Sequence, residues 1–248
     1  MRDADLEEIR DLSLFRDMDD AHFAALMRGA YHQSFPPQVT LIEEGQAADF
    51  LHVVTEGAVE MYARWEGRET TMSVVRPVST FILAACINDA PYLMSARTLM
   101  PSRVALIPGS DLRTAFTKDP AFAKAIVGEL ASCYRSVVRH AKDLKLRASR
   151  ERLAAYLLRH VPAHGALDFD LQIEKRLLAS YLGMTPENLS RALRSLRDDG
   201  VAVEGQHVTI SDFDALTAVA RPTALIDGPD YCGREGSESP SRRDPGGH

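Results

Sequence analysis

Glu187, Ser190, Arg191 and Arg194 recur at spacings of three and four, which gathers two kinds of base-reading chemistry on one side of a helix. A guanidinium donates two parallel hydrogen bonds to guanine, and a carboxylate accepts from the exocyclic amine of cytosine. Leu189, Ala192, Leu193 and Leu196 repeat with the same spacing on the opposite side, so the segment has one face to bury and one to present. Thr185 suits the N-cap and Pro186 the first helical position, so Glu187, Asn188 and Arg191 project from the first turns. A helix that enters the major groove by its N-terminal turns needs that arrangement. A short helix and the turn Tyr181-Leu-Gly-Met184 precede it, completing a helix-turn-helix. The competing reading is a surface amphipathic helix whose Glu and Arg pair in solvent, and the rest of the chain decides between the two.

The elements that must position this helix are visible as changes of texture. At 248 residues the chain has room for two domains, and 45% apolar with 26% charged residues is ordinary for a soluble globular protein. The net charge of −6 does not mark a nucleic-acid binder, yet Arg191, Arg194 and Arg197 face Glu187 alone across 185–197, a locally basic field. Cys86, Cys133 and Cys232 are far apart and odd in number, which points to reduced buried thiols rather than a zinc site, an iron–sulfur cluster or a disulfide framework. The acidic N-terminus has no signal-peptide pattern and no apolar run reaches membrane length, so a cytoplasmic protein is expected.

Leu6–Met18 and Ala21–Tyr31 read as short helices, the second capped by Asp19 or Asp20. From Gln33 to Ile107, short runs rich in Val, Ile, Thr and Phe alternate between glycine-marked turns, as strands of a barrel, sandwich or jelly roll do. Ile126, Leu130, Cys133, Val137, His140 and Leu144 then form a coiled-coil-like seam, read as a dimer interface or as packing on the helix's own domain. Another helix runs from Ser149 to about His160, a turn follows at Pro162-Ala-His-Gly, and Leu167–Ile173 alternates as a strand. Val201–Ile210 forms a hairpin about Gly205, the wing of a winged helix. Gly228–His248 has the composition of a disordered tail. The expected architecture is α+β: a β-roll with N-terminal helices over 1–118, a dimerisation helix over 119–146, a winged helix-turn-helix over 147–226 and a tail over 227–248.

That order of elements resembles the CRP/FNR superfamily of bacterial transcription factors, over about residues 5–220. Ile42-Glu-Glu-Gly-Gln and Leu51-His-Val-Val-Thr-Glu-Gly-Ala-Val are similar to its glycine-punctuated roll, a cyclic-nucleotide-binding-like jelly roll. Ser95-Ala-Arg-Thr stands where that roll has its phosphate cassette, and Leu178–Arg191 is similar to the family helix-turn-helix. In the FNR-like branch a Glu followed by a Ser-Arg pair reads TTGA-type half-sites. The resemblance therefore implies that Arg191 takes guanine, Glu187 the opposite cytosine, and Ser190 a thymine or its neighbour, in an inverted repeat close to TTGAT–ATCAA bound by a homodimer working with RNA polymerase.

The departures from the family narrow the effector. Members that bind cAMP hold its ribose with Gly-Glu and its phosphate with Arg-Ser; here Leu83-Ala84 aligns with the first pair and Met94 with the arginine. A buried phosphate lacking its arginine is several kcal/mol unfavourable, so cAMP is not expected. The cassette 81–98 is mostly apolar, which suits a small planar effector, with Tyr92, Ser95 and Arg97, and Tyr134, Arg135 and Val137 from the long helix, as contacts. Either arginine would fit a carboxylate, and similarity to an alphaproteobacterial subgroup implies an aromatic acid such as 4-hydroxybenzoate. The competing reading makes the tyrosines core residues and the arginines salt bridges. Haem is the alternative cofactor, for nitric oxide or carbon monoxide sensing, with His22, His32, His52 and His140 available. No nucleophile–base or metal constellation points to an enzyme. The rival of another class is a regulatory or scaffold module whose C-terminal helices contact protein.

Overall fold

The structure, a computed structural model, describes residues 3–161 and 166–228; the turn expected at 162–165 and nearly all of the expected tail lie outside them. In chain order it has helices α1 (Asp3–Arg10) and α2 (Asp20–Arg28), then strands β1 (Tyr31–Phe35), β2 (Thr40–Ile42), β3 (Phe50–Glu56), β4 (Val59–Trp65), β5 (Arg68–Val75) and β6 (Ser79–Phe81). Helix α3 (Leu83–Asn88), strands β7 (Ser95–Thr98) and β8 (Ser102–Pro108), and helices α4 (Gly109–Lys118), α5 (Pro120–Leu146) and α6 (Ser149–His160) follow. The C-terminal part holds β9 (Asp168–Asp170), α7 (Lys175–Tyr181), α8 (Pro186–Ser195), β10 (Val201–Glu204), β11 (His207–Ile210), α9 (Phe213–Ala220) and α10 (Ala224–Asp227). This is the expected α+β order of roll, long helix and winged helix-turn-helix. Two compact units divide it: Met1–Glu60 with Val74–Leu130, and Met61–Ser73 with Ala131–Asp230.

The roll has two four-stranded sheets, ordered β1-β8-β3-β6 and β2-β7-β4-β5. Strand β3 lies between β8 and β6, with Leu51 opposite Ile107 and His52 opposite both Leu106 and Phe81. The alternation expected of a half-buried strand is not what β3 shows: Leu51 to Thr55 are all buried. Helices α1, α3 and α4 cover it, so even its polar positions are shut from water. Gly57, φ +89°, turns the chain out of β3; a Cβ there would meet the Pro101 carbonyl oxygen and the Ser102 hydroxyl well inside contact distance, so only glycine fits.

The first helix is shorter than its apolar pattern suggested. It ends at Arg10, whose guanidinium donates to the carbonyls of Phe15 and Met18 and to Asp20, so residues 11–18 wrap around one cation as turns. Helix α2 is capped by Asp19, which accepts from the N–H groups of Ala21 and His22, and it stops at Gly29, leaving Tyr31 to begin β1 opposite Leu106. Asp119 ties this corner to α5: it accepts from the N–H of Phe122 and of Asp19 and lies 3.0 Å from the His22 ring. Burial raises the Asp119 carboxyl, but those donors outweigh it and hold the group below the usual carboxylate range. Phe15 stacks on Phe122 and meets Phe23 edge-on, closing the corner with apolar surface.

Buried His52 packs against Phe81, its Nδ1 3.1 Å from the Phe50 carbonyl oxygen. Burial, partly offset by that bond, lowers its pKa from 6.5 to about 4. The unfolded chain therefore takes up a proton near pH 6.5 that the folded chain refuses until about pH 4. Stability is intact above the higher value and declines by about 3 kcal/mol as pH falls to the lower one. Urea unfolding of wild type and His52→Gln across pH 4–7 checks this; the variant should show a shallower acid decline, and identical slopes would refute it.

Candidate nucleic-acid interface and effector cassette

Local sequence sets helix α8. Thr185 accepts from the Asn188 N–H at 3.2 Å and Pro186 occupies the first turn, the expected N-cap and N1 pair. Leu189, Ala192 and Leu196 are buried, whereas Thr185, Glu187, Asn188, Ser190, Arg191 and Arg194 are all exposed. The six residues proposed to read DNA thus share one solvent-facing side. The Thr185 hydroxyl, the residue's own backbone N–H and nearby Arg191 hold the Glu187 carboxyl below the usual range against slight desolvation, so it presents a charged acceptor. Ser190 donates its hydroxyl hydrogen to the Pro186 carbonyl at 2.9 Å, leaving its lone pairs outward.

The turn before α8 depends on residues the helical pattern concealed. Gly183, φ +62°, lies so close to Leu144 of α5 that an added Cβ would stand 2.8 Å from the leucine Cδ2. Arg152, buried on α6, donates from Nε to the Leu182 carbonyl at 2.9 Å and from Nη1 to the carbonyls of Arg147 at 2.6 Å and Leu144 at 3.3 Å. One guanidinium therefore fixes the helix-turn-helix turn to the end of α5. In sequence Arg152 reads as a solvated charge among Arg150, Glu151 and Arg159; only its burial reveals the role.

The wing has the opposite polarity. In the sheet β10-β11-β9, His207 lies between Asp170 at 2.9 Å from Nδ1 and Asp168 at 3.0 Å from Nε2. The bond to Asp170, and after it the charge of Asp168, raises the imidazole pKa. With exposed Glu204 on the same hairpin, the wing adds little positive field, whereas Arg191, Arg194 and Arg197 are exposed on and after α8.

The cassette folds as β6, the single-turn helix α3 and β7. Ile82 has φ +69°, a conformation a glycine adopts without strain. Neither Leu83 nor Ala84, the pair that stands in place of Gly-Glu, supplies a carboxylate. Leu83 is buried, Ala84 exposed and Met94 partly buried. Buried Tyr92 donates its hydroxyl to the Phe50 carbonyl at 3.3 Å, and Ser95 accepts from the Glu44 N–H at 3.0 Å. Arg97, expected to offer its fork to a carboxylate, instead places Nε and Nη2 2.8 and 2.7 Å from Glu60 Oε2. That outcome corrects the expectation: buried Glu60 needs a cation, and β7 delivers one. Tyr134, Arg135 and Val137 are exposed on α5 and fall in the other compact unit.

Cys86 is a buried free thiol whose pKa burial pushes up to about 12, an inert apolar side chain. Cys133 is half-buried. His22 lies against Asp119, His32 against Asp5 and Thr55, His52 against Phe81, and His140 against Tyr181. Among the described residues no group of three or more His, Cys, Asp or Glu is placed to hold a metal ion, and no helix is long and apolar enough to cross a membrane.

Comparison with known proteins agrees with this geometry. Residues 151–219 match the family model of the Crp-like helix-turn-helix domain, and residues 32–119 that of the cyclic nucleotide-binding domain. The chain is 26% identical over 231 residues to the transcriptional activator protein FnrL of Cereibacter sphaeroides, covering 84% of this chain and 88% of FnrL. In fold it is similar to FixK2 from Bradyrhizobium japonicum, with TM-score 0.68, 24% identity and coverage of 79% of this chain and 99% of FixK2. It is likewise similar to a CooA mutant from Carboxydothermus hydrogenoformans, with TM-score 0.70, 15% identity and coverage of 89% and 97%. A roll of the cyclic-nucleotide-binding type, followed in one chain by a helix-turn-helix that turns an acid and three arginines to solvent, makes this protein a member of the CRP/FNR family, whose members are DNA-binding transcriptional regulators and not enzymes.

Proposed function

We propose that this regulator acts in the cytoplasm as a homodimer, reads an inverted repeat close to TTGAT–ATCAA, works with RNA polymerase, and is modulated by a small organic effector other than cAMP. The observation that carries the reading is the outward face of α8. Arg191 offers a guanidinium to guanine, and Glu187, kept ionised beside it, an acceptor to the cytosine amine. Because the Ser190 hydrogen is spent on Pro186, its oxygen suits the adenine amine of the neighbouring T·A pair.

Helix α5 supplies the support for a dimer, but along a different line from the expected seam. Of that seam Ile126 is fully buried and Leu130, Cys133 and His140 are partly buried, His140 stacking on Tyr181, whereas Val137 and Leu144 are exposed. The exposed apolar stripe is displaced by about one residue: Val127 (62% exposed), Ala131, Tyr134 (71%) and Val138, with Val137 beside them. Spacings of four, three and four are those of a two-stranded coiled coil, and a second copy of the same helix would cover the stripe. Two-fold symmetry then places the reading helices about one turn of DNA apart.

The effector reading is an aromatic acid, with 4-hydroxybenzoate as its simplest representative. The apolar cassette supports it, and no residue at the cassette's Gly-Glu and Arg positions carries the charge that a cyclic nucleotide needs.

Gel retardation of the inverted repeat tests the DNA reading. Wild type should retard it with affinity that falls steeply as salt rises. Arg191→Ala should weaken binding by about 1–3 kcal/mol and lose discrimination at the guanine; undiminished discrimination would refute the assignment. Thermal shift of the purified protein tests the effector, since a ligand specific for the folded state raises the melting temperature. 4-Hydroxybenzoate should raise it and cAMP should not, and no Soret band is expected; a shift with cAMP alone, or a Soret band, would overturn the choice.

A further inference from the structure

Past the residues matched to the helix-turn-helix domain, the chain makes one more excursion that neither base reading nor effector sensing uses. Helix α9 ends where Arg221 turns left-handed, φ +46°, and Thr223 begins the single turn of α10. This segment is closed on itself: the Thr223 N–H donates to Asp227 Oδ2 at 2.8 Å, and the Asp227 N–H to the Thr223 carbonyl at 2.7 Å. Asp227 then faces two cations. Arg147, in the elbow between α5 and α6, donates from Nη1 and Nη2 to its two oxygens at 2.7 and 2.6 Å, and Arg159 of α6 adds a bond at 2.7 Å. Arg147 also holds Asp143 of α5 at 2.9 Å and the Arg221 carbonyl at 3.2 Å.

Further along, Arg139 of α5 donates to the Gly228 carbonyl and Lys142 to that of Leu225, at 3.2 and 3.3 Å. The last three turns of α5 are thus gripped on one side by the segment Arg221–Gly228. On the other side they meet the turn that launches α8, through His140 on Tyr181, Leu144 on Gly183, and the Arg152 bonds to Leu144 and Leu182. Arg147, Asp143 and Asp227 are nearly buried. A buried pair of this kind costs several-fold more to break from one side than an exposed one, because the abandoned charge stays desolvated.

We propose that Arg221–Gly228 is a positioning strap for DNA reading: through Asp227 it clamps the elbow between α5 and α6, fixing where α8 is held at the end of the long helix. Asp227 and Arg147 are positioning residues that touch no base. The inference rests on the DNA reading above and adds what sets the geometry of that reading. A loosened elbow would leave each reading helix intact but let the two copies adopt more than one separation, so the penalty for a wrong half-site spacing would shrink.

The test uses the full-length protein as wild type, Asp227→Asn, and Asp227→Glu, which restores a carboxylate. Hydrogen exchange should quicken about tenfold at α5 amides from Arg139 to Leu146 in Asp227→Asn while amides of α8 hold their rates, since local opening is confined to the elbow. On DNA, Asp227→Asn should bind the natural repeat more weakly and lose at least about threefold of the penalty that wild type shows when one base pair is inserted between half-sites. Asp227→Glu should recover part of both. Unchanged exchange at the elbow would overturn the strap, and exchange quickened alike through α6–α9 would make Asp227 an ordinary core residue. An unchanged spacing penalty would overturn the positioning role. Wild type that retards no inverted repeat would sink the DNA reading and the positioning role with it, while exchange still decides whether the strap holds the elbow.

Discussion

Arg152 is the side chain on which the presentation of the reading helix depends. The last carbonyls of a helix have no intrahelical partners, and a buried cation must find acceptors to offset its lost hydration. Arg152 meets both needs by donating to the carbonyls of Leu144 and Arg147 at the end of α5 and to Leu182 in the turn before α8. The positive charge also lies at a helix C-terminus, where the macrodipole favours it. Leu144 and Gly183 can approach so closely only because the backbone there carries no Cβ. The short loop that launches α8 is thereby a rigid extension of the long helix rather than a flexible link.

Charge is distributed so that an acidic protein can approach a polyanion by one face. The chain carries −6 overall, yet α8 and the residue after its last turn turn Arg191, Arg194 and Arg197 to solvent. The wing contributes a net acidic cluster, His207 between Asp168 and Asp170. A basic face on that helix favours the orientation in which it meets the groove, so acidity elsewhere contributes to register rather than opposing binding.

The roll spends its polar groups on itself. Glu60 holds Arg97, the Phe50 carbonyl holds Tyr92, and the Glu44 N–H holds Ser95. A ligand entering the cassette must meet mainly apolar surface or exchange with one of these internal partners.

The sequence by itself determined the elements whose signals are local. Periodicity and the Thr185-Pro186 cap defined α8 and sorted its faces, and turn glycines marked the roll, because helix caps, stripes and tight turns are settled by neighbours a few residues away. What only the tertiary structure decided were contacts between residues distant in the chain. Arg97 closes on Glu60, and β3 is covered on its polar positions as well as its apolar ones. The seam read along α5 divides, with Ile126 buried in the roll's own core and Val137 exposed, because a helix that is apolar on adjoining rows can bury either. Asp227, grouped by composition with a tail, is anchored by Arg147 and Arg159 some seventy to eighty residues earlier. Whether a charge is solvated or buried in a pair depends on what folds over it, and no local pattern carries that information.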